Sequence, residues 1–142
     1  MKAGGGIRIR AFSADDYEDV IALWRTCGLI IKRSDSRAEI EKLCAMASNR
    51  LLVAETNDNH IIGAVIGAFD GRRAWIYHLA VLPKARRSGV ATRLMREIEK
   101  HLRACGAVKV NLLVEPENMT ARRFYEALGF AAVPFAFFTK EF

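Results

Sequence analysis

Residues 7–10 alternate apolar and basic, Ile-Arg-Ile-Arg, the period-two pattern of a half-buried strand. Ser13 then stands where a helix cap is wanted. Tyr17, Val20, Ile21 and Trp24 follow at helical spacing, and Gly28 predicts the stop. Ser36 and Glu39 have the spacing of a capping box and open a second helix that turns Ile40, Leu43 and Cys44 inward. Residues 51–56 and 60–69 are apolar, strand-like runs joined by Asn57-Asp58-Asn59, a hairpin turn. Asp70-Gly71 turns the chain again into a strand over residues 75–81.

Leu82-Pro83 ends that strand and a basic loop follows. A helix is predicted from about Gly89 to Cys105, with Leu94, Ile98 and Leu102 on one face and Gly106 as its stop. Residues 108–114 read as the next strand. Glu115-Pro116-Glu117-Asn118 breaks it, and Asn118 caps a helix carrying Phe124, Tyr125 and Leu128 up to Gly129. Residues 130–142 read as strand material interrupted by Pro134, and the aromatic-rich stretch 135–142 offers a surface for self-association. The order is β-α-α-β-β-β-α-β-α-β. It predicts an α/β fold with antiparallel hairpins in the middle and one crossover helix.

At 142 residues there is room for one domain, expected over 7–142, and the glycine-rich residues 1–6 are expected to be a disordered tail. Hydrophobic residues at 51% and charged residues at 27% fit a globular core. No apolar run has the length of a membrane helix and the start lacks a secretory pattern, so the expected location is the cytoplasm. The net charge of +6 favours an anionic partner. It permits nucleic acid, but no recognition motif supports that, and neither nucleic acid nor membrane is the expected partner. Cys27, Cys44 and Cys105 form no CxxC pair and are expected as reduced, partly buried thiols. His60, His78 and His101 lack ligand spacing, so no metal is expected.

The chemistry concentrates in residues 79–92, LAVLPKARRSGVAT, where a strand feeds a tight loop that opens onto a helix. The first N–H groups of a helix lack intrahelical partners and carry the positive end of its dipole, so they form an anion site. Gly89 and Ala91 let phosphate oxygens approach the backbone, and Lys84, Arg86, Arg87 and Arg93 add charge at the rim. The Walker and dinucleotide patterns are absent. Arg86-x-x-Gly89-x-Ala91 after Leu-Ala-Val-x-Pro instead resembles the acetyl-CoA signature of the GNAT superfamily of N-acetyltransferases. Residues 118–130, NMTARRFYEALGF, resemble that family's N-x-x-A-x-x-F-Y-x-x-x-G-F segment and follow a strand as the family requires. The resemblance runs from Ile7 through nearly the whole chain and is nearest to the small bacterial YpeA-like group beside the RimI type.

The resemblance implies a GNAT-type acyl-CoA N-acyltransferase fold: a mostly antiparallel central sheet with splayed strands, flanked by four helices. It implies acetyl-CoA and a primary amine, small molecule or protein, as partners, in a monomer or homodimer. Main-chain N–H groups of Arg87, Ser88, Gly89, Val90, Ala91 and Thr92, with Arg86, would hold the pyrophosphate. The backbone over Leu79, Ala80 and Val81 would pair with the pantetheine arm, an N–H near Leu79 facing the thioester carbonyl. Asn118 would touch the cofactor, and Tyr125 matches the general acid that protonates the departing thiolate.

The base is open. Alternation puts Trp75, Tyr77, Leu79 and Val81 on one strand face and Ile76, His78 and Ala80 on the other. His78 then stands on the wrong face unless a bulge shifts it. Tyr77 serves as a polar anchor for a water chain, and Glu115 is a candidate base. The RimI-type glutamate aligns with Leu113, which weakens an assignment to ribosomal-protein modification. Trp24, Trp75 and Tyr77 are candidates to line the acceptor pocket, and Arg33 and Arg37 candidates to draw an acceptor's anionic group. The alternative function is a catalytically weak acyl-CoA sensor of the same fold.

Overall fold

The computed structural model of the protein describes residues 6–142; the predicted tail, but for Gly6, lies outside the described residues. By contacts the chain separates into two compact units, one ending at Leu112 and the other Leu113–Phe142.

The first unit is built on a five-stranded sheet in the order β1 (Arg8–Ala11), β2 (Arg50–Glu55), β3 (Ile61–Phe69), β4 (Ala74–Val81) and β5 (Val110–Asn111). The first four strands are antiparallel neighbours, and β5 joins β4 in parallel after a crossover. The predicted hairpins are present: Thr56 N–H bonds the His60 carbonyl at 2.9 Å, and the Asp70 carboxylate accepts the Arg72 and Arg73 N–H groups at 2.8 Å each. α1 (Tyr17–Thr26) follows a 3-10 turn over Ala14–Asp16. The Ser36 hydroxyl accepts the Glu39 N–H at 3.3 Å and opens α2 (Arg37–Cys44).

The two faces of the sheet are packed differently. On one, Val20, Ile21, Leu23 and Trp24 of α1 and Ile40 of α2 close over Leu51, Val53, Ala64, Ile66 and Ala80. Burying each large aliphatic side chain contributes roughly 1.5–3 kcal/mol. On the other, α3 (Val90–Ala104) lays Leu94 and Ile98 over the glycines of β3. A Cβ on Gly67 would sit 2.4 Å from Ile98 Cγ1, and one on Gly63 would sit 3.0 Å from Leu94 Cδ1. The missing side chains set how closely α3 approaches.

β1 is tied to the body by charge. Arg10 donates to Asp16 at 2.7 and 2.9 Å and to Glu55 at 2.9 Å, and Arg8 also pairs with Glu55. The Arg10 guanidinium, then Arg8, holds the Glu55 carboxyl down to about 2. Arg10 likewise lowers Asp16 and is itself raised by the two carboxylates.

The second unit carries α4 (Met119–Ala127), capped by the Asn118 side chain, which accepts the Ala121 N–H at 3.1 Å. Gly129, at φ +95, follows its end.

Two predicted strands are corrected. The strand expected over 108–114 pairs only at Val110 and Asn111, and Val108 is exposed. It is an edge strand beside a partner that bends at a bulge, so the ladder ends after two residues. The strand expected over 130–142 is not formed. Pro134 removes a ladder donor, and Phe135, Phe137, Phe138 and Phe142 stand exposed without the alternation that would bury one face. Cys105 is exposed rather than partly buried, while Cys27 and Cys44 are half-buried thiols; burial pushes the Cys44 thiol up. Among the described residues no helix is long and apolar enough to cross a membrane.

Candidate active site

β4 ends at Val81 and the chain passes through a 3-10 turn, Pro83–Ala85, into α3. Two internal bonds set this loop. Arg86 Nε donates to the Val81 carbonyl at 3.0 Å, and the Ser88 hydroxyl donates to the Ala85 carbonyl. Arg86 therefore braces the loop as well as charging it. Arg87 and Gly89 both take positive φ, +65 and +83. The chain must turn sharply here, and only glycine does so without strain. Gly89 caps α3, and the first helical N–H with a carbonyl partner is that of Arg93, bonded to Gly89 at 3.0 Å. The amides of Val90, Ala91 and Thr92 are left without intrahelical acceptors. A Cβ built on Gly89 meets nothing within 4 Å. The open side of the loop, three unspent amides and the helix dipole together fit a phosphate group.

β4 supplies the second part. Its pairing with β5 stops at Trp75, so among the described residues no strand covers that edge over residues 76–81. An open strand edge accepts an extended amide-bearing chain. This one leads directly into the anion loop.

The third part is a bulge. On β3 the register steps from Ala64 to Ile66, while on β4 it steps from Ala80 to Tyr77. β4 therefore carries one extra residue, and neither His78 nor Leu79 has a registered partner. His78 sits at φ +51, in the left-handed region that disfavours side chains. The extra residue corrects the predicted alternation. Val81 pairs with Gly63 and lies on the α3 side, whereas Ala80 packs with α1. His78 lies on the α1 side with Tyr77: its ring meets the Trp24 ring edge-on at 4.7 Å, and its Nε2 is 3.0 Å from Asp35 Oδ1.

Trp75 and Tyr77 stack at 6.3 Å, and Tyr77 is 43% exposed. Burial, and then the Asp70 charge, raises the Tyr77 phenol above its ordinary value. Trp24, expected to line a pocket, is fully buried in the core, where its ring touches His78. Arg37 is spent on the Ala14 carbonyl at 3.0 Å, on Glu18 at 3.1 Å and over the Tyr17 ring.

Tyr125, Asn118 and Glu115 stand in the second unit. The Tyr125 ring packs edge-on against Phe124 at 5.1 Å and Phe130 at 5.7 Å. Burial pushes its phenol up, so it holds its proton to higher pH than a free tyrosine. Glu115 is exposed at the turn before α4, where its carbonyl accepts the Asn118 N–H at 3.0 Å. The residue that the sequence reading missed is Asp35. It lies in a short Ser-Asp-Ser segment, indistinguishable there from any turn.

The sequence profile of the Acetyltransferase (GNAT) family matches residues 8–130, a span that runs through both units. The chain belongs to the GNAT acetyltransferase family. It is 38% identical over 127 residues to an acetyltransferase of Pectobacterium atrosepticum, covering 89% of each chain. Its fold resembles that of AAC(6')-Iy solved with the bisubstrate analogue CoA-S-monomethyl-acetylneamine, with TM-score 0.82 at 18% identity over 96% of this chain and 99% of that one. It also resembles the Arabidopsis thaliana glucosamine-6-phosphate N-acetyltransferase, with TM-score 0.79 at 17% identity over 96% and 99%.

Proposed function

We propose that this GNAT protein transfers the acetyl group of acetyl-CoA to a primary amine by direct attack in a ternary complex. One observation carries the reading: the uncovered edge of β4 runs from the bulge at His78 straight into three unspent amides at the start of α3. That is the shape of coenzyme A, an extended arm ending in a diphosphate.

The amides of residues 87–92 hold the diphosphate and Arg86 keeps their loop in place. The backbone of Leu79, Ala80 and Val81 pairs with the arm. The arm runs back along β4 from its phosphate end, which brings the thioester toward the bulge. There the Leu79 N–H, out of register with β3, serves the thioester oxygen as it becomes an oxyanion. The amine nitrogen attacks the carbonyl carbon, the C–N bond forms, and the C–S bond breaks. The leaving thiolate takes its proton from Tyr125, whose burial keeps it protonated at neutral pH. Tyr77, which is exposed, and the half-buried Trp75 stacked on it offer the acceptor an aromatic wall. No covalent enzyme intermediate is involved, so catalysis is positioning plus charge stabilisation.

The test pairs calorimetry with a thiol-release assay on a panel of amines. Saturable acetyl-CoA binding and amine-dependent release of free CoA are expected. Binding without release on any amine would reassign the chain as an acyl-CoA sensor, and no binding at millimolar acetyl-CoA would remove the reading altogether.

A further inference from the structure

The transfer releases a proton from the attacking amine, and Tyr125 as the acid cannot also receive it in the same turnover step. The site needs a second group near the bulge. The aromatic wall offers no base: Tyr77 is held protonated by its burial, and Trp75 has none to offer. One side chain on that face has a ring nitrogen able to accept a proton, the imidazole of His78.

His78 is held from three directions. The bulge in β4 turns it to the α1 side. The edge of Trp24 packs on its ring at 4.7 Å. Asp35 Oδ1 faces its Nε2 at 3.0 Å. Asp35 is held in turn. Its Oδ2 accepts the Lys32 N–H at 3.0 Å, its carbonyl accepts the Tyr17 hydroxyl at 2.8 Å, and the residue is 5% exposed. A buried carboxylate is costly unless bonded, and here both oxygens are used. The arrangement also carries strain, since His78 is a non-glycine residue at φ +51. The Trp24 indole N–H beside it is buried without an acceptor.

The bond fixes the tautomer. An ionised carboxylate only accepts, so neutral His78 carries its proton on Nε2 toward Asp35. Among the described residues no partner falls to Nδ1, and the His78 side chain is 27% exposed. Nδ1 is therefore the ring nitrogen left to accept a proton. Tyr77 precedes it on its own strand, and Tyr17 stands behind Asp35, donating its hydroxyl to the Asp35 carbonyl. α2 sends it no hydrogen bond among the described residues.

We propose that His78 Nδ1 is the base that receives the acceptor amine's proton, and that Asp35 is the positioning residue that fixes its tautomer. This rests on the acetyl-transfer reading above. As the C–N bond forms, the proton passes from nitrogen to Nδ1; the imidazolium stays paired with Asp35 and later releases the proton to solvent.

The test uses the full chain, acetyl-CoA and the best amine from the panel. His78→Asn keeps a residue that tolerates positive φ. It should lower kcat about 100-fold while acetyl-CoA still binds with wild-type affinity by calorimetry. The rise of rate with pH that depends on imidazole should disappear. Asp35→Asn should lower kcat with the KM for acetyl-CoA unchanged. Nitrogen-15 spectra of the ring should show the Nε2–H tautomer in the wild type and a mixture in Asp35→Asn. A wild-type rate and pH profile in His78→Asn overturns the base alone. An Nδ1–H tautomer in the wild type overturns it too, even if the variants fail to fold. A wild type that binds acetyl-CoA but acetylates no amine overturns the transfer reading, and the base falls with it.

Discussion

The anion loop and the bulge lie at the two ends of one stretch of β4, and they are built from different materials. The loop works through backbone. Its proposed donors are the amides of residues 87–92, of which those of Val90, Ala91 and Thr92 lack intrahelical acceptors, and its shape comes from two positive-φ residues and two side-chain bonds. The bulge works through side chains. The role proposed for His78 depends on Asp35, 43 positions earlier, which the turn after α1 places against its ring. A backbone device is local and tolerates changes of side chain as long as the path of the chain survives. A side-chain device is assembled by the fold, and it fails if any of its distant supports moves.

The largest effect should come from breaking the path of the loop. Gly89→Glu adds a side chain in the open space where a phosphate belongs, puts a negative charge at the positive end of α3, and strains a residue at φ +83. Calorimetry should show at least about a 100-fold loss in CoA affinity, roughly 2.7 kcal/mol. Retained affinity in a folded variant would mean that the diphosphate binds elsewhere and that the loop is not a backbone anion site.

The same division explains what could be read in advance. The loop, its helix and the Asn118 cap were legible because each is set by residues adjacent in the chain: a strand end, a proline, small residues and a cap. The hairpins at 57–59 and 70–71 were legible for the same reason. Alternation put His78 on the wrong face unless a bulge shifted it, and the bulge is there; nothing in the sequence marks it, because alternation only counts residues. Asp35 was invisible because its partner is tertiary. The strand at 130–142 was misread because β-propensity counts Phe and Val favourably, while a strand also needs an edge to pair with and one face to bury. The tight approach of α3 was hidden in Gly63 and Gly67, which looked like ordinary interruptions of an apolar run.

Those glycines give the next test. Gly67→Ala puts a methyl group 2.4 Å from Ile98 Cγ1 and must push α3 outward. Chemical denaturation should show a loss of about 1–3 kcal/mol. Gly63→Ala meets the flexible end of Leu94 at 3.0 Å and should cost less. Equal costs would mean that α3 gives way along its whole length, and so does not hold the loop firmly.

Acid should separate the two ends as well. Arg10 and then Arg8 hold Glu55 at about 2, below the 4.5 of an ordinary glutamate, and Arg10 also ties Asp16 ahead of α1. A depressed carboxylate contributes its stability in full above the unfolded value and loses it as pH falls toward the folded one. The Glu55→Gln variant should melt below the wild type at pH 7. The difference should shrink between pH 5 and about 2 as the wild-type carboxylate gains its proton. A constant gap across that range would show that the arginines do not act through charge. The α1 side, with Trp24 and His78, should loosen before the loop does, because residues 82–92 contain no carboxylate.

The smallest change is the most discriminating for a backbone device. Arg87 is exposed and cationic in the middle of the signature, and a loop that held phosphate chiefly by side-chain charge would depend on it. If the amides do the holding, Arg87→Ala removes one screened surface charge and should cost CoA affinity no more than about fivefold, near 1 kcal/mol. The loop would keep its shape, since the bonds from Arg86 Nε and the Ser88 hydroxyl are untouched. The loss should also fade as salt is raised, because screening weakens an exposed charge far more than bonds from fixed amides. A loss comparable with that of Gly89→Glu, steep in salt, would place the grip on the guanidinium and would make the loop a side-chain device like the bulge.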